Sequence, residues 1–212
     1  MQFRRRGIML VIASPSGAGK TSITRALMAQ NPELALSVSV TTRQKRRDEV
    51  EGVHYYFISV REFERRRAEG LLLESAKVHD NFYGTPKSEV DARIARGQDV
   101  LFDIDWQGTE QLYKTCRADM VTVFILPPSI AELRARLERR AQDSAEVIAR
   151  RLKNARAEMD HWAEYDHVIV NRDLDESVAT VAAILHSART ARPRQQDLGD
   201  FVRDLQRQID GI

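Results

Sequence analysis

Residues 14–22 read Ser-Pro-Ser-Gly-Ala-Gly-Lys-Thr-Ser, between the apolar run GIMLVIA (7–13) and the helix-like ITRALMAQ (23–30). A turn that leaves a buried strand and enters a helix gathers free backbone N–H groups at the positive end of the helix dipole, where a phosphate binds without any side chain. Gly17 and Gly19 permit positive φ and close approach to the anion. Lys20 can reach the outer phosphates, and the Thr21 hydroxyl suits Mg²⁺. The spacing therefore predicts a triphosphate cradle made of Ser14, Pro15, Ser16, Gly17, Ala18, Gly19, Lys20, Thr21 and Ser22. Ser14 stands where the pattern G-x-x-x-x-G-K-[ST] begins with glycine, so Ser14-Pro15 must make the turn in another way while the stretch from Gly17 to Thr21 stays intact.

A second set of groups follows. SVSVTTRQKRR (37–47) carries Arg43 and Arg46, HYYF adds Tyr55, and NFYGT adds Tyr83 and Thr85. Taken singly these are surface charges and sheet aromatics. Together, on one segment behind a phosphate loop, two guanidinium forks and two phenols form a clamp for a smaller phosphate. FDIDWQG places Asp103 and Asp105 at the end of an apolar run, two apart and so on one face of a strand. Ligands of α/β sheets gather at that edge, and a carboxylate pair there suits Mg²⁺ and an acceptor; the competing reading is helix capping near Gly108.

The elements that must hold these groups are legible as alternation. IMLVIA (8–13), VLFDID (100–105), VTVFIL (121–126) and HVIVN (167–171) read as buried parallel strands. Helix-like stretches cover Lys20–Asn31, Lys87–Arg96, Ser129–Arg139, Glu146–His161 and Leu174–Arg192, the third opened by Ser129 with Glu132 as a capping box. The pattern predicts a parallel α/β sheet flanked by helices. Residues 38–86 break it and read as a small inserted sheet; residues 134–158, with seven arginines, read as a charged helical hairpin; the polar tail from Pro193 reads as a loose helix or disordered.

Composition narrows the class. Of 33 basic residues only Lys20, Lys45, Lys77, Lys87, Lys114 and Lys153 are lysines, and the net charge of +2 argues against a general nucleic-acid binder. One cysteine, Cys116, excludes an intrachain disulfide. No apolar run approaches the roughly 20 residues of a membrane span. The basic-then-apolar start leads straight into the loop, so it is read as a first strand rather than a signal peptide, and the expected location is cytoplasmic.

The stretches SPSGAGKTS, SVSVTTRQKR, EGVHYYF, LLLESAKV, NFYGT, FDIDWQG, FILPPS and VIVNRDLD occur in order from about residue 8 to residue 190. In these the chain resembles the bacterial guanylate kinases, members of the P-loop nucleoside monophosphate kinases. The resemblance implies a P-loop core (1–37, 88–128, 159–192), a mixed-β GMP-binding insert (38–87), a helical lid (129–158) and a tail (193–212). It implies Mg²⁺-dependent transfer of the ATP γ-phosphoryl group to GMP or dGMP. It assigns GMP to Ser39, Arg43, Arg46, Tyr55, Glu74, Tyr83, Thr85 and Asp105, adenine to the vicinity of Asn171, and the transferring phosphates to Lys20, Arg136, Arg140 and Arg151, with Asp103 and Thr21 toward the metal. Ala141 stands where the family often has glycine. The chemistry of Glu74 makes sense unaided: guanine offers adjacent N1–H and N2–H₂ donors to one carboxylate, which adenine cannot. Partners expected are small nucleotides, not nucleic acid or membrane. Two rival readings are a catalytically dead scaffold, in which the loop would be degraded, and a kinase for another monophosphate, which would lack the Glu74, Arg43, Arg46 and Tyr83 set.

Overall fold

The computed structural model describes residues 4–78, 80–139 and 145–211. Its centre is a five-stranded, wholly parallel sheet of order β2-β7-β1-β8-β9, built from β1 (Met9–Ala13), β2 (Ala35–Leu36), β7 (Val100–Asp103), β8 (Met120–Leu126) and β9 (His167–Val170). Every residue of β1 is buried, as expected of a strand covered on both faces. The period of two then sorts its side chains. Ile8, Leu10 and Ile12 join one core with Ile23 and Leu27 of α1 (Lys20–Gln30) and Val178, Val181 and Leu185 of α7 (Leu174–Arg189). Met9 and Val11 join the opposite core with Val90 and Ile94 of α3 (Lys87–Ala95) and Leu112 of α4 (Trp106–Cys116).

A second sheet of order β4-β3-β6-β5 is mixed: β3 (Val40–Thr41) runs parallel to β4 (Tyr56–Phe57) and antiparallel to β6 (Asn81–Pro86), which pairs antiparallel with β5 (Leu72–Val78). Between β4 and β5 lies α2 (Val60–Ala68), absent from the sequence reading. Its sequence VREFERRRA buries Phe63 alone, so hydrophobic periodicity gives almost no signal; the Ser59 cap and the Glu62–Arg65 and Glu62–Arg66 pairs support it instead.

The arginine-rich hairpin is α5 (Ile130–Arg139) and α6 (Ala145–Met159), packed through Leu133, Leu137 and Ala155. Ser129 caps α5 at the Glu132 N–H, 3.1 Å away, as the capping box predicts. The tail ends in α8 (Leu198–Asp210), so the loose-helix reading holds over disorder; none of its residues is buried. Its root is fastened where Arg194 donates to the carbonyls of Gly7 and Met120. Beneath the sheet, Asp99 is 1 % exposed and accepts from Arg5, Arg189 and the Ile8 N–H.

Candidate functional site

The loop after β1 folds as its glycines require. Gly17 and Gly19 take φ of 90° and 107°, and the Ala18 N–H closes a turn on the Pro15 carbonyl at 3.1 Å. Ser14 replaces the absent glycine by donating its hydroxyl to the Pro15 carbonyl at 3.0 Å. A Cβ on Gly19 would lie 2.2 Å from Asn171 Nδ2, so the second glycine is demanded by space as well as by φ. Asn171, 5 % exposed, donates Nδ2 to the Ala18 carbonyl at 2.8 Å and accepts from Ser177. Arg136 on α5 donates to the Ala18 and Asn171 carbonyls, both at 3.2 Å, and pairs with Glu132. Asn171 and Arg136 thus brace the loop while lining a cavity of about 310 Å³ with Gly17, Gly19, Ser22, Arg139, Arg172 and Leu174.

Thr21 lies in the first turn of α1. Lys20 turns toward β7, where its ammonium pairs with Asp103 and reaches the Ile104 carbonyl at 3.3 Å. Asp105 is the N-cap of α4, its carboxylate accepting from the Gly108 N–H at 3.0 Å. The two carboxylates of FDID therefore divide: Asp103 faces the lysine of the loop, while Asp105 does the capping that was the competing reading. One backbone donor of the loop has an anionic partner that the sequence does not reveal: the Ser16 N–H donates to Glu158 of α6 at 3.0 Å, across 142 positions.

Glu74, on β5 and 6 % exposed, packs against α4. It accepts the Thr85 hydroxyl at 2.8 Å, so that hydroxyl points to the carboxylate rather than into open space. A Cβ on Gly108 would lie 3.0 Å from Glu74 Oε2, which shows how closely α4 approaches the carboxylate. Burial first, and the Asp105 charge in addition, push the Glu74 carboxyl up to about 7 against the lowering effect of Thr85.

The remaining groups gather around Arg43. Its guanidinium lies 5.4 Å from the Tyr55 ring centroid, and Tyr55 meets Tyr83 edge-on at 5.9 Å. Burial raises the Tyr55 phenol above its usual range. Ser39 enters β3 beside them, its carbonyl accepting from Tyr56. Arg46 is exposed, and its backbone N–H donates to Glu49 at 2.8 Å. Glu49, the other residue missed in the sequence, forks onto Arg43 at 2.6 and 3.0 Å. Its only sequence signal was a carboxylate six positions beyond Arg43. Arg151 lies on α6, half-buried; Arg140, with Ala141, lies outside the described residues.

Comparison with known proteins fits this geometry. The family model described as "Guanylate kinase" matches residues 6–188. The chain belongs to the guanylate kinase family. It is 55 % identical over 205 residues to the guanylate kinase of Rhizobium meliloti (strain 1021), covering 97 % of this chain and 94 % of that one. It is 54 % identical over 201 residues to that of Paramagnetospirillum magneticum (strain AMB-1), covering 95 % and 94 %. Among solved structures, guanylate kinase from Anaplasma phagocytophilum superposes with a TM-score of 0.78 at 35 % identity, covering 95 % of this chain and 96 % of that one. Among the described residues of the enzyme, no helix is long and apolar enough to cross a membrane.

Proposed function

We infer that the enzyme transfers the γ-phosphoryl group of ATP to GMP, giving ADP and GDP, with the two nucleotides held on either side of the end of β7. The observation that carries this is the polar path joining both half-sites. Lys20 of the loop meets Asp103, Asp105 caps α4 two residues on, and α4 closes over the buried Glu74.

On the donor side, the loop from Ser14 to Ser22 cradles the ATP phosphates, and the cavity beside Asn171, Arg172 and Leu174 takes the adenosine end. On the acceptor side, Glu74, oriented by the Thr85 hydroxyl, accepts from guanine N1–H and N2–H₂, Ser39 serves its O6, and Arg43, Arg46, Tyr55 and Tyr83 hold the phosphate. Nothing identified there reads the ribose 2′ position, so dGMP is an acceptor too. Phosphoryl transfer asks the protein for in-line positioning and for positive charge on the equatorial oxygens. Lys20, Arg136 and Arg151 supply that charge.

Mg²⁺ fits the donor set. Thr21 and Asp103 offer hard oxygen ligands, which this ion prefers with retained waters and phosphate oxygens. Among the described residues no cluster of three or more metal-ligating side chains exists, which suits an ion carried in on a nucleotide rather than caged by protein. When bound, it neutralises charge between the β- and γ-phosphates.

A coupled assay of ADP release against a panel of nucleoside monophosphates tests the assignment. GMP and dGMP are expected to give strong turnover; comparable rates with AMP or UMP would remove Glu74 from base recognition.

A further inference from the structure

We propose that Glu49 is a positioning residue for the acceptor phosphate: it grips the outer edge of the Arg43 guanidinium and turns the remaining edge toward GMP. The proposal rests on the reading that Arg43 binds the GMP phosphate, and goes beyond it by naming the residue that aims the fork.

A guanidinium is planar and has distinct hydrogen-bonding edges. The end-on edge presents Nη1 and Nη2; the side edge presents Nε and one Nη. Glu49 takes the end-on edge with both oxygens, Nη2 to Oε1 at 2.6 Å and Nη1 to Oε2 at 3.0 Å. Nη1 also donates to the Gln44 carbonyl at 2.8 Å. The hydrogen bonds that Arg43 donates to Glu49 and Gln44 thus leave from its Nη atoms. The Tyr83 phenol is a further partner of the same guanidinium, so the side that Glu49 does not hold is turned toward the phenol expected to share the acceptor phosphate with it. Packing fixes the plane: the guanidinium lies 5.4 Å from the Tyr55 centroid and 5.8 Å from that of Phe57. Both partners are largely shielded, with side chains 15 % and 14 % exposed, so the pair is less mobile and less screened than a surface ion pair.

Glu49 does a second thing with the same carboxylate. Its Oε2 accepts the Arg46 N–H at 2.8 Å, which fixes the backbone of the second clamp arginine relative to the first. One side chain therefore sets the spacing of both. The Arg43 fork and the Arg46 N–H hold the Glu49 carboxyl down at about 2, so it stays ionised across the whole working range. The alternative role for a carboxylate so placed is that of a stand-in which a phosphate expels. The two roles differ in sign: expulsion means that removing Glu49 improves GMP binding, and positioning means that it weakens it.

The test is a double-mutant cycle on the full chain, with GMP and guanosine as ligands. Glu49→Ala is expected to raise the GMP KM roughly tenfold, as loss of a charge-assisted contact does, with kcat, the ATP KM and the guanosine Kd little changed. In an Arg43→Ala background the same substitution should cost clearly less, leaving only the share that runs through the Arg46 N–H, because the larger part of Glu49's effect passes through Arg43. Glu49→Gln, which keeps an acceptor for the Arg46 N–H, should recover part of the loss. A lower GMP KM in Glu49→Ala, a loss that adds fully to that of Arg43→Ala, or an equal loss of guanosine binding would overturn the proposal. Arg43→Ala alone leaving the GMP KM unchanged would instead sink the assignment of Arg43 on which it rests.

Discussion

The Glu74 carboxylate accepts the Thr85 hydroxyl at 2.8 Å in a pocket where it is 6 % exposed. Thr85 sits on β6 and Glu74 on β5, so the hairpin itself brings the two together. One hydroxyl cannot replace the water that a carboxylate loses on burial, and the proton is held to about pH 7.

Guanine's two donors require the ionised form, so GMP binding should release this proton. The GMP KM is expected to fall about tenfold between pH 6 and pH 8, following the ionised fraction of a group with a pKa of about 7. The GMP phosphate also titrates, near 6. Glu74→Gln separates the two, since it keeps the phosphate's pH dependence and loses the remainder, while its GMP KM rises about tenfold or more at pH 8. An identical KM–pH profile in both proteins would remove Glu74 from the guanine site.

The same proton makes a stability prediction of opposite direction. Unfolded, Glu74 ionises near 4.5; folded, at about 7. Between these values the native state binds more protons than the unfolded state, so this group's contribution to stability falls as pH rises through the window and is gone above it. The upper bound is about 3–4 kcal/mol, from a rise of 4.5 to about 7 at roughly 1.4 kcal/mol per pKa unit. Denaturant titrations of the unliganded protein at pH 5 and pH 8 should show wild type losing more stability than Glu74→Gln; equal losses would contradict it.

How far these relations were legible from sequence depends on distance along the chain. The loop was legible because strand, glycines and helix are contiguous, and Gly17 and Gly19 do take positive φ. Glu74 was identified through resemblance; its burial, and the turning of Thr85 toward it, come from tertiary packing. Asp105 offered two readings, and the backbone chose the cap. Asn171 was expected near adenine, and it spends its amide bracing the loop 153 positions away. Glu158 on Ser16 could not be read at all, since nothing local in RAEMD marks a partner at the other end of the chain.

That last contact carries its own prediction. A carboxylate on α6 occupies a loop N–H within the phosphate cradle, so the placement of α6 and the occupancy of the loop are linked. Glu158→Gln keeps an acceptor but removes the negative charge, and the ATP KM should fall a few-fold with GMP parameters unchanged. A raised ATP KM would mean that the carboxylate supports the loop rather than competing with phosphate there.

Gly19→Ala sets φ against space. Its Cβ would meet Asn171 Nδ2 at 2.2 Å, at a φ of 107° that alanine rarely adopts. We expect a loss of about 1–3 kcal/mol of stability and loss of ATP binding. Adding Asn171→Ser removes the collision but not the strained φ, so the double variant should regain part of the stability. Judged against Asn171→Ser alone, which loses the bracing of the Ala18 carbonyl, full recovery of stability and ATP binding would show that the collision alone matters, and no recovery would show that φ alone does.

Asp99 is the strongest single support far from the chemistry. It lies at the N-terminal end of β7, 1 % exposed, and joins Arg5 before β1, Arg189 at the end of α7 and the Ile8 N–H. Arg189 carries one buried nitrogen, Nη2, without a hydrogen-bond partner, and its charge is met by Asp99 at 2.7 Å and by the more exposed Glu33 at 3.2 Å. Removing Asp99 leaves Arg5 and Arg189 poorly compensated, with only Glu33 still facing Arg189, so Asp99→Ala should cost about 3 kcal/mol, the low end for a broken buried pair. Because the loop leaves the opposite end of β1, turnover of the folded fraction should be unchanged below the melting transition. A drop in kcat at full folding, measured by active-site titration alongside circular dichroism, would mean that the base of the sheet is coupled to the loop through β1.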